Sequence, residues 1–336
     1  MNIAINGFGR IGRATFKAAL EKGNFNIVAI NDLTDTETLA HLLKYDTAYG
    51  VYQKSVKHTK DSLIVDGKKF QVLAIKDPSE LPWKELKVDI VIECTGIFRT
   101  KESCDLHLQA GAKKVIISAP AKDKVGVPTV VLGVNEQELK KSDKVLSMAS
   151  CTTNCLAPLT QVMKEVFGIE KAIMTTIHAY TADQNLVDGP HKDLRRARAA
   201  GQNMVPTTTG AAKAVTITIP SLAGKFDGMA VRVPTIVGSL CDVVFISKKK
   251  VTEEEINNAF KKAVKTPRLK GILEVTEEPI VSSDIIGNPA SSIVDLSLTK
   301  VVDGNLVKII SWYDNEWGYS SRLVDLVGYI GKKKLV

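Results

Sequence analysis

No stretch of this chain stays apolar long enough to span a bilayer. The best candidate, residues 229–246, is broken by Arg232, Pro234 and Asp242, each costly in hydrocarbon. The first residues read directly as a strand and lack the zones of a secretory leader. Cysteine is scarce and odd in number, five in 336 residues, with no pairing framework. Free thiols and a cytosolic, reducing compartment are therefore expected. Histidine is equally scarce at five, and neither residue recurs at metal-ligand spacing, which argues against a metal centre. Repeats, low-complexity tracts and flexible linkers are also missing, so two ordinary domains with a tight junction account for the length.

Hydrophobic residues make up 44% of the chain and charges are interspersed, as in a folded protein rather than a disordered one. The formal net charge is +8. A nucleic-acid surface is one explanation. The Lys248–Lys250 and Lys332–Lys334 runs lack interleaved aromatics, however, and read as solvated element ends on a surface that favours small anions.

The first half alternates strand and helix signals: strands at 3–6, 26–31, 88–94, 114–118, 129–132 and 144–147, helices at 10–21 and 101–110. Short β-branched runs between helical segments predict an α/β domain, a Rossmann-type doubly wound parallel sheet, over residues 1–150. Asp66-Gly67 marks a hairpin inserted between strands at 62–65 and 68–75. After residue 150, a helix at 152–167 precedes longer strands at 171–180, 228–233, 240–248, 293–299 and 306–313. That texture predicts an α+β catalytic domain over 151–315 with a mostly antiparallel sheet and helices on one face. The basic stretch 181–203 is too irregular for a regular element and suits binding or assembly. Residues 319–330 have helical spacing.

Gly7-x-Gly9-x-x-Gly12 follows the first strand and opens the first helix. One glycine makes the turn, the next admits a pyrophosphate against the backbone, and the third allows close helix–strand packing. The helix start adds unpaired N–H groups for the anion. Asp32 ends the second strand about twenty residues on, placed to accept from a ribose diol. The same carboxylate would repel a 2′-phosphate, and no arginine immediately after it compensates, so NAD is expected over NADP.

Ser150-Cys151-Thr152-Thr153-Asn154-Cys155 opens a helix after a strand. A cysteine in a first helical turn meets the positive end of the dipole, so Cys151 is expected to have a lowered thiol pKa. Taken alone, two core cysteines one turn apart on a packed helix explain the spacing better. Cys94, Cys104 and Cys241 read as packing residues, and His41, His58 and His107 as surface or internally satisfied. His178 ends a β-rich strand and can be aimed at a neighbouring thiol. Arg232 sits between Val231 and Val233 in a strand, pointing away from their apolar face, and an arginine so placed asks for an anion.

Together, Asn6 to Gly12, Ser118-Ala119-Pro120, Ser147 to Cys155, His178 to Thr181, Pro206 to Lys213, Val231 to Gly238 and Trp312 to Tyr319 resemble the phosphorylating, bacterial-type glyceraldehyde-3-phosphate dehydrogenases, in order and spacing across essentially the whole chain. The resemblance implies Cys151 as the nucleophile and His178 as its base. It implies NAD contacts from Gly7, Gly9, Arg10, Ile11, Gly12, Asp32, Lys76, Ser118 and Asn315, with lysine at 76 where many relatives carry arginine. It implies Thr181 and Arg232 at the substrate phosphate, and Ser150, Thr152, Arg196, Thr209 and Gly210 at inorganic phosphate. Arg195 and Arg198 compete with Arg196. It further implies a cytoplasmic homotetramer that turns glyceraldehyde 3-phosphate into 1,3-bisphosphoglycerate through a thioester in glycolysis. The last segment, 316–336, would return to the first domain. The nearest rival is an erythrose-4-phosphate dehydrogenase. A basic nucleic-acid-binding or surface-adhesion protein is the reading from another class, and Cys151, His178, Arg232 and Asn315 together argue against it as the primary role.

Overall fold

A computed structural model describes residues 1–123 and 125–336. The chain divides into two compact units. One comprises Met1–Val130, Gln137–Ala149 and Ser320–Val336, the other Val131–Glu136 and Ser150–Tyr319.

In the first unit, strands Val145–Ser147, Lys114–Ile117, Ile90–Glu93, Asn2–Asn6, Asn26–Asn31 and Lys68–Leu73 lie side by side and parallel, in that order. Their apolar residues, such as Ile3, Ala4 and Ile5 or Ile90, Val91 and Ile92, are fully buried without alternation, as a sheet covered on both faces requires. Ser62–Val65 and Val56–Thr59 extend the Lys68–Leu73 edge antiparallel. The hairpin turns at Asp66 and Gly67, both left-handed (φ 48° and 81°), as a two-residue hairpin demands. From Asn2–Asn6 the chain steps one way to Asn26–Asn31, and Ile90–Glu93 takes the other side. That reversal opens a crevice at the carboxyl ends of the strands, where open α/β sheets bind ligands.

Two expectations for this unit need correction. Residues 129–132 are no strand. Only a bridge from Thr129 to Ser147 forms, because Val134 N–H bonds back to Val131 O and Gly133 turns left-handed (φ 82°). Thr36–Lys44 is a helix not anticipated from apolar spacing, and its one local signal is the Asp35 cap, which accepts from Thr38 N–H at 2.8 Å.

The second unit holds a seven-stranded sheet ordered Val205–Thr207, Phe226–Val233, Ile169–Ala179, Ser239–Ser247, Leu306–Tyr313, Ser292–Val302 and Leu273–Thr276. Four of its six neighbour pairs are antiparallel. Helices Cys151–Val166, Ala211–Thr218 and Glu253–Ala263 accompany it. Neither of the last two follows from the sequence reading, although Thr252 and Glu255 form a capping box legible as Thr-x-x-Glu. Residues 181–203 contain only turns and bends. No described helix is long and apolar enough to cross a membrane.

Candidate active site

The crevice of the first unit is a cavity of about 820 Å³ whose lining includes Asn6, Gly7, Gly9, Asp32, Lys76 and Thr95. Its glycines divide the work. A Cβ on Gly12 would lie 2.1 Å from Gly7 O, and one on Gly7, itself left-handed at φ 91°, would lie 2.7 Å from Thr95 N. A Cβ on Gly9 would meet nothing within 4 Å. Gly7 and Gly12 are thus fixed by packing, whereas Gly9 faces open space where a phosphate can approach. The helix Arg10–Lys22 begins at Gly9, which makes no side-chain cap, so its positive end faces the crevice without a capping side chain of its own. Asp32 is held by Phe8 N–H (2.7 Å) and Thr34 N–H (2.9 Å). Leu33 and Ile97, 63% and 70% exposed, offer apolar surface to a flat ring, a feature no spacing in the sequence announces. These residues fit a dinucleotide.

Arg10 is placed differently from a simple ligand contact: its guanidinium pairs with Asp46 through two bonds of 3.1 and 3.2 Å. Ser118 follows the Lys114–Ile117 strand, with its N–H on Glu93 O.

In the second unit, Ser150 caps the helix Cys151–Val166, accepting from Thr153 N–H at 3.1 Å. Ala149 just before it is left-handed at φ 54°, an unusual conformation for a side-chain-bearing residue that turns the chain sharply at the helix start. Cys151 Sγ lies 3.4 Å from His178 Nε2. His178 and Arg232 are register partners on parallel strands, and Arg232 Nη1 stands 3.0 Å from His178 Nδ1. The Nη1 group has two hydrogens, and Ala179 O (3.1 Å) and Thr181 Oγ1 (3.0 Å) accept them. His178 Nδ1–H then donates to Ala179 O at 2.6 Å, which leaves the Nε2 lone pair facing the sulfur. That is the tautomer of a base.

Burial, then the Arg232 cation, push His178 down to about 3, so its imidazole is neutral. Burial also raises the Cys151 thiol, and Arg232 pulls it back. The lowered thiol expected from the helix start therefore meets a larger opposing cause. At neutral pH the resting pair is thiol and neutral imidazole. Tyr313, absent from the sequence-based site, braces the pair: its hydroxyl bonds Thr152 Oγ1 and Thr176 Oγ1, both at 2.9 Å, and its ring meets that of His178 edge-on. The Thr152 hydroxyl thus lies between Tyr313 and the Cys151 sulfur, 4.0 Å from the latter.

Arg232 is half-buried, with its Nε buried and unpartnered, and among the described residues no carboxylate lies in ion-pair range of it. A desolvated cation so placed wants an anion. Hydrogen bonds continue outward: the Thr181 hydroxyl donates to Asp183, and Asp183 also accepts from Arg196 Nη1. Arg196 also donates to Thr207 Oγ1 (3.0 Å) and Thr208 O (3.1 Å), next to Thr209 and Gly210 at the start of the Ala211–Thr218 helix. Arg198 instead pairs with Asp188, and Arg195 reaches only Pro206 O at 3.5 Å. Of the three arginines, Arg196 joins the threonine cluster. Asn315 is buried, and its Oδ1 accepts from Gly238 N–H and Ser239 Oγ, which turns the amide N–H₂ the other way.

Residues 1–101 match the family model described as the glyceraldehyde 3-phosphate dehydrogenase NAD binding domain, and residues 150–315 that of its C-terminal domain. The chain is 56% identical over 335 residues to the glyceraldehyde-3-phosphate dehydrogenase of Streptomyces coelicolor, covering 99% of both chains. It is 56% identical to that of Borreliella burgdorferi, over 97% of this chain and 98% of the relative. The Geobacillus stearothermophilus enzyme is 54% identical, over 100% and 99% respectively. A nucleotide crevice of this shape, a cysteine–histidine pair and matches that run nearly end to end lead to one placement: the chain belongs to the glyceraldehyde-3-phosphate dehydrogenase family.

Proposed function

We propose that this chain oxidises glyceraldehyde 3-phosphate with NAD and inorganic phosphate to 1,3-bisphosphoglycerate, as a glycolytic oxidoreductase, and that Cys151 carries the acyl group as a thioester. The observation that carries this reading is the 3.4 Å approach of Cys151 Sγ to an unprotonated His178 Nε2. As His178 takes the thiol proton, the sulfur adds to the aldehyde carbon and a hemithioacetal forms. The imidazolium gives that proton to the alkoxide oxygen of the adduct, and the ring, neutral again, takes the hydroxyl proton back as hydride leaves the carbon. NAD, when bound, supplies the hydride acceptor. Loss of hydride leaves a thioester on Sγ, and phosphate oxygen attacks its carbonyl, expelling the thiolate.

The anion roles follow from charge. Arg232 and Thr181 suit the substrate phosphate, and Arg196 with Thr209, Gly210 and Ser150 suits the inorganic one. Thr152 serves there by holding the helix start through Tyr313 rather than by an open hydroxyl. Gly7, Gly9, Gly12, Arg10, Ile11, Asp32, Lys76 and Ser118 are assigned to NAD, and Asn315 to its carboxamide. A homotetramer is supported by Leu186, Val187, Leu194 and Met204, four apolar side chains at least 75% exposed within residues 181–204. Five free cysteines accord with a cytoplasmic setting.

The test is NADH formation with glyceraldehyde 3-phosphate or erythrose 4-phosphate, each with and without phosphate. Glyceraldehyde 3-phosphate should give the higher kcat/KM and need phosphate for turnover. A tenfold preference for erythrose 4-phosphate would overturn the substrate assignment.

A further inference from the structure

Beneath the cavity of the first unit, a chain of buried polar side chains serves no step of the proposed reaction. Trp83, His107 and Glu93 are sealed from solvent, and Asn6 and Asn31 nearly so. Trp83 Nε1–H donates to His107 Nδ1 at 3.0 Å. Indole can only donate, so Nδ1 bears the lone pair and His107 is neutral with its proton on Nε2. That N–H points to Glu93 Oε2 at 3.2 Å, which also accepts from Asn6 Nδ2 at 2.5 Å. Asn6 Oδ1 accepts from Asn31 Nδ2 at 2.7 Å, and Asn31 Oδ1 from Ile75 N–H at 3.0 Å. The other carboxylate oxygen, Oε1, takes Thr95 N–H at 2.7 Å and the Thr95 hydroxyl.

A fully buried carboxylate is costly unless donors replace its water. Here four donors do so, and they come from different places. Asn6 ends one strand, Thr95 follows the adjacent one, and Asn31, reached through Asn6, ends a third. Asn6, Asn31, Ile75 and Thr95 all line the cavity. An apolar residue at 93 would fill the same space but could not tie these segments together. We infer that Glu93, oriented by His107 and Trp83, is a positioning residue for the cofactor, setting the relative placement of the strand ends that form its cradle. This rests on the reading that the cavity takes NAD.

The choice of test follows from donor and acceptor counts. In Glu93→Gln, one carboxylate oxygen becomes an N–H₂ that faces donors, so either Thr95 loses its acceptor or Asn6 and His107 both do. Adding Asn6→Asp returns an acceptor for the new amide while still receiving Asn31 Nδ2. NAD affinity is measured by calorimetry on the full chain, together with Cys151 alkylation by iodoacetamide in the absence of NAD. Glu93→Gln is expected to weaken NAD by about tenfold, and the double variant to regain about threefold or more. The alkylation rate should stay within about twofold throughout. Equal NAD affinity of Glu93→Gln and wild type, or no recovery in the double variant, overturns the inference. Wild-type protein that fails to bind NAD overturns the cofactor reading itself. If Glu93→Gln does not fold, Thr95→Ser and Thr95→Val decide instead. Serine keeps both bonds to Oε1 and should bind NAD as wild type does, whereas valine should bind more weakly, and equal affinities of the two overturn the inference.

Discussion

His178 and Arg232 stand opposite one another on parallel strands, and the nitrogen of His178 that faces Arg232 is the one turned away from the Cys151 sulfur. Burial first, and then a cation on that side, deny the imidazole a second proton, and the same cation opposes the rise that burial gives the Cys151 thiol. The register of two strands therefore brings one cation to bear on both members of the pair.

Removing that charge should be felt in two places. With Arg232 in its proposed place at the substrate phosphate, Arg232→Leu removes charge-assisted bonds, a loss of about 3 kcal/mol. The expected fall in kcat/KM is about a hundredfold or more. Because Arg232 opposes the rise of the Cys151 thiol, the pH midpoint of alkylation should also move upward in the variant. A midpoint that moves down would contradict the assigned electrostatics.

His178 should leave a mark on acid stability. Its folded pKa, about 3, lies below its ordinary value of 6.5, so between these values the unfolded chain binds a proton that the folded chain refuses. Its contribution is thus whole above about pH 6.5 and is lost as pH falls toward about 3. Melting temperatures of His178→Asn should decline less than wild type between about pH 6.5 and 5, above the carboxylate range. Parallel curves would mean that His178 is not held neutral.

Gly9 and Gly12 separate ligand approach from packing. Gly9→Ala, with open space around its Cβ, should keep the melting temperature within a few degrees while weakening NAD. Gly12→Ala forces a contact with Gly7 O and should cost both stability and NAD affinity. Calorimetric titration beside thermal melts distinguishes them, and unchanged NAD binding in Gly9→Ala would remove the pyrophosphate from that position.

Legibility in the sequence tracked how local each signal is. The glycine turn, Asp32 and the Leu306–Tyr313 strand follow from spacing and periodicity over a few residues. Helix Thr36–Lys44 escaped because its apolar stripe is short, and residues 129–132 misled because a β-branched run hid the turn at Gly133. Cys151 with His178 could be proposed from position alone but not decided, since their approach depends on tertiary placement 27 residues apart. Tyr313 as a brace, the choice of Arg196 over Arg195 and Arg198, and the burial of His107 depend wholly on distant partners. The direction of the Cys151 pKa was missed for the same reason: the helix start is local, while burial is not.

The thioester is tested most directly by mixing enzyme, glyceraldehyde 3-phosphate and NAD without phosphate and following absorbance at the NADH band. The account predicts a burst of about one NADH per Cys151, then arrest until phosphate is added. Cys151→Ser should bind NAD and give no burst. Steady NADH production without phosphate, or a burst in the serine variant, would contradict it.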